Sequence, residues 1–261
     1  MRLGMSSAVW YGRYETEDAA VHLRDFSLET CEIFLQCGSE YTASFGNEVR
    51  ARLGDLPCAS VHPKGTNFEG DLFSLSPRQT EDAFRIFENV CVAGQAIGAR
   101  YYVMHGPSGA NTRRTPSQIH DAAARLERLR TVAAAHGIEV LWENVSWCAL
   151  RSPEDVAEAL RLAPSLGFVL DVKQARRAGT DELTMARAMG PHLKHLHVLD
   201  TREDGTLCLP GEGIVDFPAL FHTAREEGFD GAVILEPYAA QARDEDALRR
   251  SLSLLQQLIA I

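Results

Sequence analysis

The stretch Ile138-Glu139-Val140-Leu141-Trp142-Glu143-Asn144-Val145 decides how the chain is read. It follows Gly137, a residue suited to ending a helix. It runs mostly apolar and then meets a carboxylate, Glu143. A short apolar run bounded by turn residues reads as a buried parallel strand. The same grammar returns at 58–61 before His62, at 99–104 before His105, at 167–170 before Asp171, at 193–196 before His197 and at 231–235 before Glu236. Packing gives a core strand no reason to end so often on a group that can bind metal or move a proton.

Helix signals lie between these runs. Ser76-Pro77-Arg78-Gln79 and Thr115-Pro116-Ser117-Gln118 each place a capping residue, a first-turn proline and a glutamine three residues after the cap. Ser152-Pro153, Asp181 and Asp216-Phe217-Pro218 open further helices, and Gly98, Gly137 and Gly228 close others. With strands at 2–9 and 30–36, and helices at about 16–26, 41–53 and 244–261, the order is β then α, eight times. That alternation implies parallel strands with helical crossovers. A chain of 261 residues matches the roughly 250 of a closed (β/α)8 barrel. An open doubly wound sheet gathers its binding loops near one switch point, whereas here the polar tips spread from the third strand to the eighth. No low-complexity tract or linker interrupts the pattern. The expectation is an α/β chain forming one (β/α)8 barrel domain over 1–261.

Composition narrows the function. The 26 Lys+Arg against 36 Asp+Glu leave a net charge of −10, which disfavours nucleic acid and anionic membranes as partners. No run reaches the ~20 apolar residues of a membrane span, and the opening residues carry no signal-peptide core. The six cysteines form no CxxC pair, so neither a disulfide framework nor a zinc knuckle is expected. Most read as small buried apolar residues of a cytoplasmic protein. Self-association into a homo-oligomer stays open.

In a closed barrel the strand tips converge on one axis. Two glutamates, an aspartate and a histidine there make a mixed oxygen and nitrogen site for one divalent cation, suited to Mn, Mg, Co or Zn. Without a cation, three carboxylates at close range could not all stay ionised. His195, two residues before His197, falls one layer deeper and reads as a hydrogen-bonded core histidine. Glu32, within the second strand, either reaches the pocket or is a paired barrel charge. If the sixth strand continues past Asp171, Lys173 points the same way and can meet an anionic group or an enolate.

The pieces Trp142-Glu143-Asn144, Leu170-Asp171-Val172-Lys173-Gln174, His195-Leu196-His197-Val198-Leu199-Asp200, Gly211-Glu212-Gly213-Ile214-Val215-Asp216-Phe217 and Leu235-Glu236-Pro237-Tyr238 occur in this order along nearly the whole chain. In them the chain resembles the xylose isomerase-like barrels, the sugar phosphate isomerases and epimerases, which include ketose 3-epimerases, hydroxypyruvate isomerases and inosose dehydratases. The resemblance implies that Glu143, Asp171, His197 and Glu236 bind one divalent metal. It also implies that Glu143 and Glu236 act as acid/base groups on opposite faces of a small carbohydrate. His62, His105, Lys173, Trp10 and Tyr238 are the substrate-contact candidates. A lyase using the same enolate, and a barrel that binds without catalysis, remain alternatives. One departure stands out: Gln174 replaces a histidine common in the family. The related endonuclease IV barrels need that histidine and an Asp-x-His pair after the seventh strand, which residues 200–205 do not supply.

Overall fold

Alternation along each strand builds the architecture. In a strand, successive side chains point to opposite faces. On Glu139–Glu143 (β5), Val140 and Trp142 join the apolar layer under the helices, while Leu141 belongs to a second cluster with Tyr101, Val103 and Val169. Tyr101–Met104 (β4) and Gly167–Asp171 (β6) divide in the same way. Arg2–Ser6 (β1), Thr30–Leu35 (β2), Cys58–Pro63 (β3), Leu193–Val198 (β7) and Ala232–Leu235 (β10) complete the ring. The computed structural model describes residues 1–108, 116–242 and 244–260, with the backbone alone for 116–123. In it these eight strands form a closed barrel in the order β1-β10-β7-β6-β5-β4-β3-β2. All eight ladders are parallel. The expected closed ring is therefore present.

The surrounding helices are Thr16–Leu23 (α1), Ala43–Leu53 (α2), Pro77–Ile97 (α3), Pro116–Ala134 (α4), Pro153–Leu162 (α5), Val172–Arg177 (α6), Glu182–Met189 (α7), Phe217–Glu226 (α8) and Glu245–Ala260 (α9). Ser152 opens α5 with a reciprocal capping box to Asp155, and Asp181 and Asp216 cap α7 and α8 through Thr184 and Ala219 N–H. Gly98 closes α3 at φ 86°, a left-handed conformation that favours glycine. The expected cap at Thr115 lies outside the described residues.

Several expectations need correction. The first strand stops at Ser6, whose hydroxyl accepts from Ala8 N–H and turns 7–10 into a 3-10 turn. Ser76 does not cap α3 through its side chain, and Gln79 instead accepts from Ser74 Oγ at 2.7 Å. The sixth strand does not continue past Asp171: that carboxylate accepts from Gln174 N–H and starts α6 at once. A two-residue hairpin, Asp200–Thr201 (β8) with Leu207–Cys208 (β9), was also not expected. Buried Asp200 organises the loop that follows, accepting from the N–H groups of Gly211, Gly213 and Val215.

The entry to β10 is packed backbone to backbone. A Cβ on Gly231 would lie 2.1 Å from the carbonyl oxygen of Lys194. Neither strand can yield without moving the ladder between β7 and β10. Gly231→Ala is expected to destabilise the fold by about 1–3 kcal/mol, the range for overpacking. The check is the urea midpoint, and an unchanged midpoint would contradict the packing described.

Candidate metal centre and active site

Because all barrel strands are parallel, their inward residues nearest the C-terminal end share one layer. Glu143 ends β5, Asp171 ends β6, His197 lies on β7 and Glu236 follows β10. His62 on β3, His105 after β4 and Glu32 on β2 join them. Ligand atoms of Glu143, Asp171, His197 and Glu236 all fall within 4.8 Å of one another. His62, His105 and Glu143 form a second such group, and Glu32, His62, His197 and Glu236 a third.

His197 sits at the centre. Its Nδ1 is 3.0 Å from Glu143 Oε1 and 3.4 Å from Glu236 Oε2, and its Nε2 is 3.1 Å from Glu32 Oε2. Glu32 thus holds the far edge of the imidazole, as carboxylates behind metal-binding histidines do. It also accepts from Ser60 Oγ at 2.8 Å and lies 3.3 Å from His195 Nε2. His195 is fully buried below, as its position in the sequence predicts. Asn144 locks the neighbouring strand end: it accepts from Asp171 N–H at 2.8 Å and donates to Asp171 O at 3.0 Å. Gln174 accepts from Ser146 N–H at 3.2 Å and Oγ at 2.8 Å. Buried Glu69 positions His105 from behind, accepting from the N–H of His105 at 2.9 Å and of Gly106 at 3.2 Å.

Lys173 is 3% exposed and donates to both Asp171 and Glu236, the latter at 2.5 Å. It reaches the site from the first turn of α6, not from a continued strand.

The charges are strongly perturbed. Burial favours protonating Glu143, yet the imidazoles of His197 and His105 hold it well below the usual carboxylate range. Burial acts the same way on Glu236, and Lys173 and His197 bring it down to about 2. Burial pushes Asp171 up to about 7 against the pull of Lys173. Burial opposes the charge on His62, and Glu236 and Glu32 overcome it, raising His62 to about 10. The two glutamates are therefore both held ionised, where one ionised and one protonated carboxyl is the simplest acid/base pair.

The donor set suits a divalent cation. Three carboxylates and an imidazole converge in a buried layer, and the chemistry is hard oxygen and nitrogen. Glu143 Oε2 lies 3.0 Å from His105 Nε2 but makes no hydrogen bond. A buried carboxylate oxygen without a hydrogen bond is rare unless something else takes it.

Above this layer is a cavity of about 210 Å³. Tyr11, Phe34, His62, His105, Trp147 and Tyr238 are among its walls. Tyr238, His62 and His105 line it as expected, and Lys173 lines it too, although from a helix turn. Trp10 does not: it is 1% exposed and packs against Tyr14, His22 and Phe26. The 3-10 turn after β1 brings Tyr11 to the pocket instead. Tyr11 is not among the residues the sequence offers for the pocket, and Trp147 stands there as a wall candidate behind Trp10 and Tyr238. Both are exposed aromatics in strand-end loops, a signal that could have pointed to them.

Comparison with known proteins supplies the setting. A D-psicose 3-epimerase structure determined in the presence of D-fructose is similar over 100% of both chains, with a TM-score of 0.82 at 14% identity. The IOLI protein with a bound zinc atom is similar over 99% of this chain and 96% of its own, with a TM-score of 0.75 and 14% identity. At such identities the likeness is one of fold. An inosose dehydratase of Clostridium tetani (strain Massachusetts / E88) is 23% identical over 149 residues, 49% of this chain and 50% of that protein. The matches to three inosose dehydratases thus span about half the length of each. The family description "Xylose isomerase-like TIM barrel" matches residues 23–258. With the closed barrel and that match over most of its length, the chain belongs to the xylose isomerase-like TIM barrel family.

Proposed function

We propose that this chain is a divalent-cation-dependent isomerase or epimerase of a small sugar, keto-polyol or sugar phosphate, with Glu143 and Glu236 as the proton-transfer pair. The observation that carries this is their placement. β5 and β10 stand three steps apart in the ring, and both glutamates reach the same imidazole, His197, from different strands. A ligand held over the site is therefore flanked by a carboxylate on either side. The cavity of about 210 Å³ is smaller than the roughly 300–1,000 Å³ of typical ligand pockets, which favours a small substrate. The epimerase neighbours support the same reading.

Glu143, Asp171, His197 and Glu236 would hold the cation. Its contribution is Lewis-acid polarisation of a carbonyl oxygen, which eases loss of the neighbouring proton. One glutamate, held ionised, takes the carbon-bound proton. The other carboxyl, ionised at rest, first receives a proton from a neighbouring imidazolium, His62 in the case of Glu236, and then returns it to the opposite face or the adjacent carbon. His62 stores a proton beside Glu236, with Nδ1 3.4 Å from Oε1. His105 lies between His62 (2.9 Å) and Glu143 (3.0 Å). These imidazoles offer a path for resetting the two carboxyls after each turnover. Tyr11, Trp147 and Tyr238 present apolar faces to sugar carbons at the mouth.

A lyase that removes water through the same enolate has support of its own in the inosose dehydratase relatives. One experiment separates the readings: a panel of ketoses, keto-polyols and their phosphates in deuterated water, followed by NMR. The expected result is exchange of the hydrogen beside the carbonyl, with a change of configuration or carbonyl position. Loss of water would select the lyase. Retention of that hydrogen through many turnovers would remove the glutamates from proton transfer.

A further inference from the structure

We propose that Lys173 is a tethered cation that competes with a divalent ion for the carboxylates of Asp171 and Glu236. The inference rests on the metal reading above and adds to it a residue that opposes binding.

The ammonium donates to Asp171 and to Glu236. These are two of the four residues whose ligand atoms lie within 4.8 Å of one another. An ion bound to all four would meet the ammonium on two of its ligands, where two positive charges repel and compete for the same carboxylates. The lysine is 3% exposed, so it screens the carboxylates from inside the protein and not as a passing surface charge. Its backbone is fixed, because Asp171 caps α6 through Gln174 N–H and Asn144 holds Asp171 from the other side. Its side chain is a flexible four-carbon stem that ends in a compact charge, so the ammonium can be displaced without moving the backbone. Already in this position Nζ is 5.6 Å from the centroid of the Tyr238 ring at the pocket wall, an aromatic face that attracts a cation and toward which a displaced ammonium can swing.

The consequence is quantitative. A ligand sees only the fraction of molecules in which its site is free. If the ammonium is in place about nine-tenths of the time, apparent metal affinity falls about tenfold. Removing the ammonium leaves two neighbouring buried carboxylates without their cation, a costly arrangement that an external cation relieves.

The test is isothermal titration of Mn²⁺ into chelator-treated wild type, Lys173→Met and Lys173→Arg, with thermal unfolding of each protein with and without Mn²⁺. Lys173→Met is expected to bind at least about tenfold more tightly and to gain more in Tm on adding Mn²⁺. Lys173→Arg, which keeps the charge, is expected to stay close to wild type. If Lys173→Met cannot be purified, Lys173→Gln carries the same expectation. Equal or weaker binding by the uncharged variants overturns the competition while leaving the metal reading intact. Failure of wild type and every variant to bind Mn²⁺ or Zn²⁺ overturns both.

Discussion

Glu143→Gln and Glu236→Gln are each expected to keep the barrel and to lower turnover about 10²–10⁴-fold, the range for losing a positioned general acid or base. An amide fills the carboxyl's volume and still accepts from the imidazoles, but it cannot take a proton from carbon. Glu143 is buried at the floor of the pocket and faces His197 and His105. Its substitution removes the charge that keeps those imidazoles oriented. Glu236 faces Lys173, His197 and His62, so its substitution leaves Lys173 with Asp171 alone. Circular dichroism should match wild type for both, and the loss should fall on kcat. Turnover within a factor of a few of wild type in either variant would take that glutamate out of the chemistry.

Asp171→Ala is expected to reduce bound metal from about one ion per chain to none detectable, read by native mass spectrometry or elemental analysis. The proposed site draws its four ligands from the ends of four strands, and removing one carboxylate of three would lower both ligand number and charge. The substitution also deletes the α6 cap, at about 1 kcal/mol. Asp171→Asn is the companion variant: it can still accept from Gln174 N–H, so a metal loss shared by both variants belongs to the ligand and not to the helix. Unchanged stoichiometry in Asp171→Ala would count decisively against the assigned centre.

Much of this was legible in the residues because period-2 alternation and a shared strand direction do the placing. Once 139–143, 167–171 and 193–198 are parallel neighbours, Glu143, Asp171 and His197 all point inward near the C-terminal end, with Asp171 opposite His197 and Glu143 opposite Val169, one inward step before Asp171. What escaped the sequence was governed by turns and by contacts distant along the chain. Trp10 and Tyr11 are adjacent, and a 3-10 turn set by the Ser6 hydroxyl decides which one sees the pocket. Lys173 reaches the site, but by helical geometry where continued strand geometry was expected. Glu32 gathers Ser60, His195 and His197 around one carboxylate. Its partners lie 28, 163 and 165 positions away, so no local pattern could reveal the cluster.

The pairing of β1 with β10 carries a kinetic implication. It joins Arg2 to Ala232, so ring closure must bring together segments separated by almost the whole chain. Contacts of such separation slow folding, since loop-closure entropy has to be overcome before they form. Glu143, Asp171 and His197 all precede that last strand, and Glu236 arrives only with it. A growing or partly folded chain therefore carries three of the four proposed ligands and lacks the complete set. An ion that prefers the finished set binds only the closed ring and shifts the equilibrium toward it. If the proposed ion binds there, its uptake would act as a latch on ring closure, and refolding with the ion present is expected to yield more closed barrel than refolding in chelator.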